Sequence, residues 1–264
     1  MDEKDRWQRL IDQGLFGERI VRFYQEVGST NTEALALGRN GLPEGSLVLA
    51  GTQTGGRGRL GRKWLSPGGC GLYFSMILRP ELDPGDLPKI TLTAGVAVCQ
   101  AIEEETGIKP LLKWPNDLMR DGCKFGGILT ETDAVSGSGR PLVVLGIGLN
   151  ISTPGDVFPE ELRARVTSLV SPKEDTLDRV KLLTGIVRHV EESIRQLEKG
   201  EFPMILREFA ARDAIRGREL SWLSANGEVV CGISQGLDQD GLLHIRDLQG
   251  RIHEVLSGDV QLKR

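Results

Sequence analysis

An Asp-Gly pair at residues 121 and 122 separates two short runs, DLMR (117–120) and KFGGILTET (124–132). Asp-Gly suits a two-residue loop with positive φ at both positions, the tightest connection between antiparallel strands. A chain with such a hairpin cannot build an all-parallel sheet, whose neighbours need long crossovers. Pro115, just upstream, stops any central strand from running through it. SGSGR (136–140) reads as a second turn before the apolar run PLVVLGIGLNIS (141–152). Further strands are expected over 19–27, 46–54 and 71–80. Helical spacing marks residues 1–17, a segment capped by Ser29 or Thr30 that runs to about Arg39, and 86–106 with Gly107 as its stop. It also marks 176–199 and 202–211. Hairpins interleaved with helices predict an α+β fold: a mixed or antiparallel sheet with helices on one face.

Beyond Arg216 the texture changes. Short alternating runs are punctuated by Asn-Gly, Asp-Gly and Gln-Gly pairs at roughly ten-residue spacing, the pattern of a small β-barrel. The expected organisation is a main domain over 1–215 and a small C-terminal barrel over 216–264. Among 264 residues the four cysteines are scattered without a CxxC pair, and the three histidines have no ligand spacing. Zinc frameworks and histidine-based triads are therefore disfavoured, and reduced thiols fit a cytoplasmic setting. No apolar run is long enough for a membrane span and no leader pattern precedes the first strand.

The segment GTQTGGRGRLGRKW (51–64) places five glycines, three arginines and a lysine between apolar runs, with no acid from Ser46 to Leu78. It lacks the GxxxxGK[ST] phosphate loop, and its GxG does not open a helix in a βαβ unit. What remains is a flexible backbone carrying the forked donors of Arg57, Arg59 and Arg62, suited to phosphate or carboxylate oxygens. Taken alone, it serves equally as a solvated turn or a nucleic-acid contact. The net charge of -4 counts against the latter for the chain as a whole. A second constellation, KWPND (113–117), lies seven residues before Lys124, which precedes the Gly126-Gly127 pair. That placement aims a lysine at a cleft, although lysines are most often at the surface.

STN (29–31), GRGRLGRKW (56–64), KWPND (113–117), K-x-GGIL (124–129) and GIGLN (146–150) occur in this order. Together they resemble biotin protein ligase, also called biotin–[acetyl-CoA-carboxylase] ligase, over nearly the whole chain from about Val21. The resemblance implies a class II aminoacyl-tRNA synthetase-like catalytic domain followed by an SH3-like barrel. It implies activation of biotin by ATP with Mg²⁺ to biotinyl-5'-AMP, then transfer to a lysine of a biotin carboxyl carrier protein. Lys124, Arg57 and Arg59 become the expected catalytic residues. Ser29, Thr30, Asn31, Gln53, Gly56, Arg57, Gly58, Arg59, Lys124 and Gly146 are expected around biotin. Arg59, Arg62, Trp64, Lys113, Asn116, Asp117, Gly148 and Asn150 are expected on the nucleotide side, with Trp64 stacked on adenine. No metal-ligating set is expected among the side chains. Asp117 either orients the incoming lysine or caps the Pro115 turn, and Leu60 is expected to pack down as part of a lid. The glycines at 56, 146 and 148 are expected to let backbone approach the ligand.

Some members of the family carry an N-terminal helix-turn-helix of about sixty residues. Here 28 residues precede STN, and over Met1–Glu18 five acids outnumber three bases. The expectation is the ligase-only form, with no DNA partner, no membrane partner and either a monomer or a homodimer. The nearest alternative is a lipoate–protein ligase. A nucleic-acid-binding module and a biotin sensor without chemistry are further rivals.

Overall fold

The computed structural model describes residues 7–9, 11, 17–133, 140–223, 229–255, 258 and 260–262. In chain order the main body contains β1 (Val21–Val27), α1 (Thr30–Arg39), β2 (Leu47–Gln53), β3 (Gly71–Leu78), α2 (Lys89–Thr106), β4 (Leu111–Lys113), β5 (Asp117–Arg120), β6 (Cys123–Asp133), β7 (Leu142–Asn150), α3 (Glu160–Arg163), α4 (Arg179–Glu198) and α5 (Phe202–Ala211). The seven strands form one sheet in the order β1-β2-β3-β7-β6-β5-β4. Only β1 and β2 run parallel; every other neighbour is antiparallel. This is the mixed sheet that the hairpins predict. Asp121 and Gly122 take φ of 51° and 75°, the double positive φ that the β5–β6 loop requires. Gly107 closes α2 in the left-handed conformation at φ 71°, and Asp178 caps α4 by accepting from Val180 N and Lys181 N. Of the expected N-terminal helix, residues 7–9 and 11 are helical. The expected SGSGR turn lies outside the described residues apart from Arg140.

The helices do not lie on one face. The main core gathers alternate residues of the central strands, among them Leu47, Leu49, Phe74, Met76, Leu145 and Ile147, against α2, α4 and α5. The intervening residues Val48, Ile77, Leu142 and Val144 form a second small core with Ala34 of α1. The central strands are apolar on both sides, so a single layer of helices would leave one apolar face in water. Helix α1 covers only part of that second face. Ser75, Gly127, Gly146 and Gly148 share the face but carry little side chain, which leaves space above the sheet beside the N-terminus of α1.

The C-terminal strands β8 (Glu219–Leu223), β9 (Val229–Leu237), β10 (Leu243–Asp247), β11 (Ile252–Val255) and β12 (Val260–Leu262) form a separate antiparallel sheet in the order β11-β10-β9-β8-β12. The expected barrel is not closed: no ladder joins β11 to β12 among the described residues. These two edge strands have four and three residues and so present only short unpaired edges. Leu220, Leu243, Ile245, Val255 and Val260 nevertheless join the main core. Trp114, at the start of the Pro115 turn, donates its Nε1–H to Gly241 O in the β9–β10 turn at 3.0 Å. Among the described residues no helix is long and apolar enough to cross a membrane.

Candidate functional site

A cleft of about 700 Å³ opens over the bare face of the large sheet. Among the described residues it is lined by eight Lys or Arg residues and a single carboxylate, Asp117, and so is suited to anions. Every expected site residue borders it except Gly56. Three structural units bring these residues together.

The first is the β4–β5–β6 corner. Strict alternation along β6 would put Lys124 on the same face as the core residue Ile128. A register shift opposite Leu118 and Met119 interrupts that alternation, and Phe125 joins the core in its place. The bulge turns Lys124 into the cleft beside Gly127, where an added Cβ would meet its Cε and Nζ at 3.3 Å. There its Nζ lies 2.5 Å from Asp117 Oδ1, while Lys113 Nζ lies 3.7 Å from Asp117 Oδ2. Both lysines are largely covered, at 29% and 16% side-chain exposure. One carboxylate thus holds two cations in place and leaves a net positive charge. The Pro115 turn is secured by a different residue, Asn116, whose Nδ2 donates to Ile128 O at 2.8 Å. Lys124 N and O also bond to Arg165 O and Thr167 N, so the stretch after α3 locks the head of β6.

The second unit is the glycine-arginine loop. Gly58 N donates to Arg62 O and Trp64 N to Gly56 O, which closes the loop into a narrow finger. At its tip Leu60 has φ 56° and is 68% exposed, so the expected lid residue stands out in solvent. A non-glycine residue in this region carries a cost of about 1 kcal/mol. Trp64 returns to the sheet and packs against Gly148, with Lys124 Nζ 5.3 Å from its ring centroid. A Cβ on Gly148 would collide with Trp64, one on Gly146 with Asn31 Oδ1, and one on Gly56 with Trp64 O. These three glycines therefore make room for the protein's own groups, and Gly146 and Gly148 also line the cleft.

The third unit is a polar network at the N-terminus of α1. Thr30 N donates to Gln53 Oε1 at 2.8 Å, and Gln53 Nε2 to Ser66 Oγ at 2.8 Å. The Ser75 hydroxyl touches Thr30 Oγ1 at 2.8 Å and Asn31 Oδ1 at 2.6 Å. Asn31 Nδ2 and Arg57 Nη2 both donate to Glu131 Oε2 at 2.8 Å. Ser66, Ser75 and Glu131 were absent from the sequence reading. Glu131 falls two residues beyond the GGIL run, on the same strand face as Gly127, and period-two counting would have found it.

Two polar atoms in the cleft wall, Trp64 Nε1 and Asn150 Oδ1, are buried without a hydrogen-bond partner among the described residues. A buried unsatisfied donor or acceptor costs about 1–3 kcal/mol, which a ligand can recover by bonding to it. Among the described residues no three His, Cys, Asp or Glu side chains converge as a metal site. Asp117 is already held by two lysines.

Comparisons with known proteins agree with this geometry. The model of the biotin/lipoate A/B protein ligase family matches residues 24–150, and that of the biotin protein ligase C terminal domain matches 217–263. The bifunctional ligase/repressor BirA of Bacillus spizizenii is 36% identical over 249 residues, covering 94% of this chain and 75% of that protein. The biotin–[acetyl-CoA-carboxylase] ligase of Mycobacterium tuberculosis is 32% identical over 269 residues, covering 98% of this chain and 95% of that one. The biotin protein ligase of Aquifex aeolicus, solved in complex with biotin and ATP, superimposes with a TM-score of 0.78 at 32% identity and covers 93% of this chain and 99% of its own. The first family model spans the strands that build the cleft and the second begins just before β8. With relatives matched almost end to end, the chain belongs to the biotin protein ligase family.

Proposed function

We propose that this protein joins biotin to ATP and passes the biotinyl group to a lysine of a biotin carboxyl carrier protein. In the first step a biotin carboxylate oxygen attacks the α-phosphorus of ATP, and the bond to pyrophosphate breaks. In the second, the carrier lysine, as free amine, attacks the acyl carbon; AMP leaves and the amine gives up a proton.

The observation that carries this reading is the Lys113–Asp117–Lys124 cluster facing the arginine loop across one cleft. Bringing a carboxylate onto a polyphosphate demands cations already in place. Lys124, held by Asp117, stands where it meets the biotin carboxylate and the α-phosphate in both steps. Arg57, Arg59 and Arg62 supply donors from the loop. Ser29, Thr30, Asn31 and Gln53, with Gly58 and Gly146, bound the biotin end. Trp64, Lys113, Asn116, Gly148 and Asn150 bound the nucleotide end. Trp64 lies on the sheet as a platform, and its free N–H and the Asn150 carbonyl form a donor–acceptor pair for polar edges of the ligand. Closure of the loop keeps water from the mixed anhydride.

Residues 1–215 act as the catalytic unit and 216–264 as an appended unit whose Arg218, Gln261 and Leu262 reach the cleft rim. The expected setting is the cytoplasm, where carrier, biotin and ATP meet. The test is pyrophosphate release from MgATP on addition of biotin, followed by mass addition to a carrier domain. Release driven by lipoate and not by biotin overturns the assignment.

A further inference from the structure

The geometry points to Glu131 as a positioning residue that clamps the glycine-arginine loop to the α1 end of the ligand cleft, an inference that rests on the activity proposed above. Its carboxylate does not line the cleft, yet one oxygen, Oε2, receives Arg57 Nη2 and Asn31 Nδ2 at 2.8 Å each. Arg57 belongs to the loop; Asn31 belongs to α1. Without the carboxylate two donors on separate elements lose their common acceptor.

The clamp extends further because Asn31 is fully engaged. Its second amide hydrogen goes to Leu129 O at 3.1 Å, and its Oδ1 accepts from the Ser75 hydroxyl at 2.6 Å. Only 4% of the residue is exposed, and it packs against the bare backbone of Gly146. Asn31 therefore has no free hydrogen for ligand and acts as a link. Ser75 has one hydroxyl proton. The Thr30 hydroxyl lies 2.8 Å from Ser75 Oγ and 3.1 Å from Gln53 Oε1, so it joins Ser75 to Gln53 with one proton shared between the two contacts. Gln53 Oε1 then accepts from Thr30 N, and Gln53 Nε2 donates to Ser66 Oγ. The bonds run from Arg57 through Glu131, Asn31, Ser75, Thr30 and Gln53 to Ser66. Arg57 and Ser66 stand on the two arms of the same loop, so the network encircles its root and passes through STN. Glu131 is the one formal charge in the network apart from Arg57, and the ion pair is the least buried link, at 43% and 25% side-chain exposure. Arg57 uses only Nη2 there, and the other edge of its guanidinium remains to meet a ligand anion.

The loop contains four trypsin sites, Arg57, Arg59, Arg62 and Lys63, so its anchoring can be read without turnover. Glu131→Gln keeps size and an acceptor for Asn31 but removes the charge that holds Arg57. Ligand-free Glu131→Gln is expected to be cut in the loop roughly threefold to fivefold faster than wild type, as befits a half-exposed ion pair. Melting temperature should be unchanged, and KM for biotin should rise more than kcat falls. Arg57→Gln, which leaves Asn31 on Glu131, should speed cleavage at the remaining sites by a similar factor, and the double variant should add little more. Loop cleavage at the wild-type rate in both single variants overturns the clamp, as does a fall in melting temperature without loop-specific cleavage. Because cleavage is measured without ligand, it can succeed or fail independently of the biotin assignment.

Discussion

The glycine-arginine loop and the Asp117–Lys124 hairpin face each other across one cleft and are held in opposite ways. The hairpin is braced on every side. Its strands pair with β4 and β7 neighbours, its bulge is filled by Phe125, and the head of β6 is bonded to 165–167. Its Trp114 root is tied to the C-terminal sheet. The loop has a narrow neck of backbone bonds, a polar ring at its root and a tip in solvent at strained φ. Local stability follows buried contact, so the loop belongs to the low-stability end of the fold and the hairpin to the high end. A site that must hold Lys124 still through two reactions, yet admit and release ligands, needs one fixed wall and one yielding wall.

The comparison breaks first at Lys124. Lys124→Ala leaves Asp117 facing only Lys113 and removes the cation between the two reacting anions. Loss of such a contact amounts to about 2–5 kcal/mol, so tens- to thousands-fold slower pyrophosphate release and slower transfer are both expected. Quench-flow assays of each half-reaction, with isolated biotinyl-AMP for the second, check this.

A smaller effect is expected where the C-terminal sheet supports the fixed wall. Gly241 has φ 82°, and a Cβ there would press on Leu92 and Phe202. Gly241→Ala should lower stability by about 1–3 kcal/mol through the backbone and overpacking costs. It should also slow pyrophosphate release severalfold by shifting the Trp114 hydrogen bond. Urea unfolding and initial rates separate the two effects.

On the yielding wall, Arg59→Gly should weaken adenylate retention more than adenylate formation, because Arg57, Arg62 and both lysines remain. The observable is free biotinyl-AMP and indiscriminate labelling of bystander lysines, a few-fold above wild type.

The smallest effect concerns the joint between the units. Burial raises the pKa of Asp213 above the ordinary carboxylate value, opposed by hydrogen bonds from Ile215 N and Arg216 N. The folded state therefore binds this proton more tightly than the unfolded state. The Asp213 contribution is full below the unfolded carboxylate pKa and declines as pH rises through the raised value. Asp213→Asn should remove that downward slope while keeping a side-chain acceptor for the two amides. The difference in urea-derived stability between the two proteins from acid to neutral pH measures it.

Much of this was legible in the sequence because local chemistry dictated it. Asp121-Gly122 determined a hairpin, Gly107 a helix end, and the apolar runs of β2, β3 and β7 the buried strands. The second-face position of α1 was harder to see, since a continuous apolar run does not say which face each helix covers. The bulge that aims Lys124 depends on a register shift against β5, which no single strand reveals. The close packing at Gly146 and Gly148 was hidden for the same reason: Asn31 and Trp64, the side chains beside them, come from distant segments. Glu131 went unnoticed because its two partners meet only in the folded chain, although its strand face could have been counted.

The contrast between fixed and yielding walls is tested most directly by running Lys124→Ala and Arg59→Gly together in one single-turnover experiment with biotin and MgATP. Pyrophosphate and the partition of biotinyl-AMP between protein and solution would be followed in parallel. The account predicts that Lys124→Ala loses the pyrophosphate burst. Arg59→Gly should keep the burst at close to the wild-type rate and discharge its adenylate into solution. A full burst from Lys124→Ala, or an Arg59→Gly variant with neither burst nor free adenylate, would contradict it.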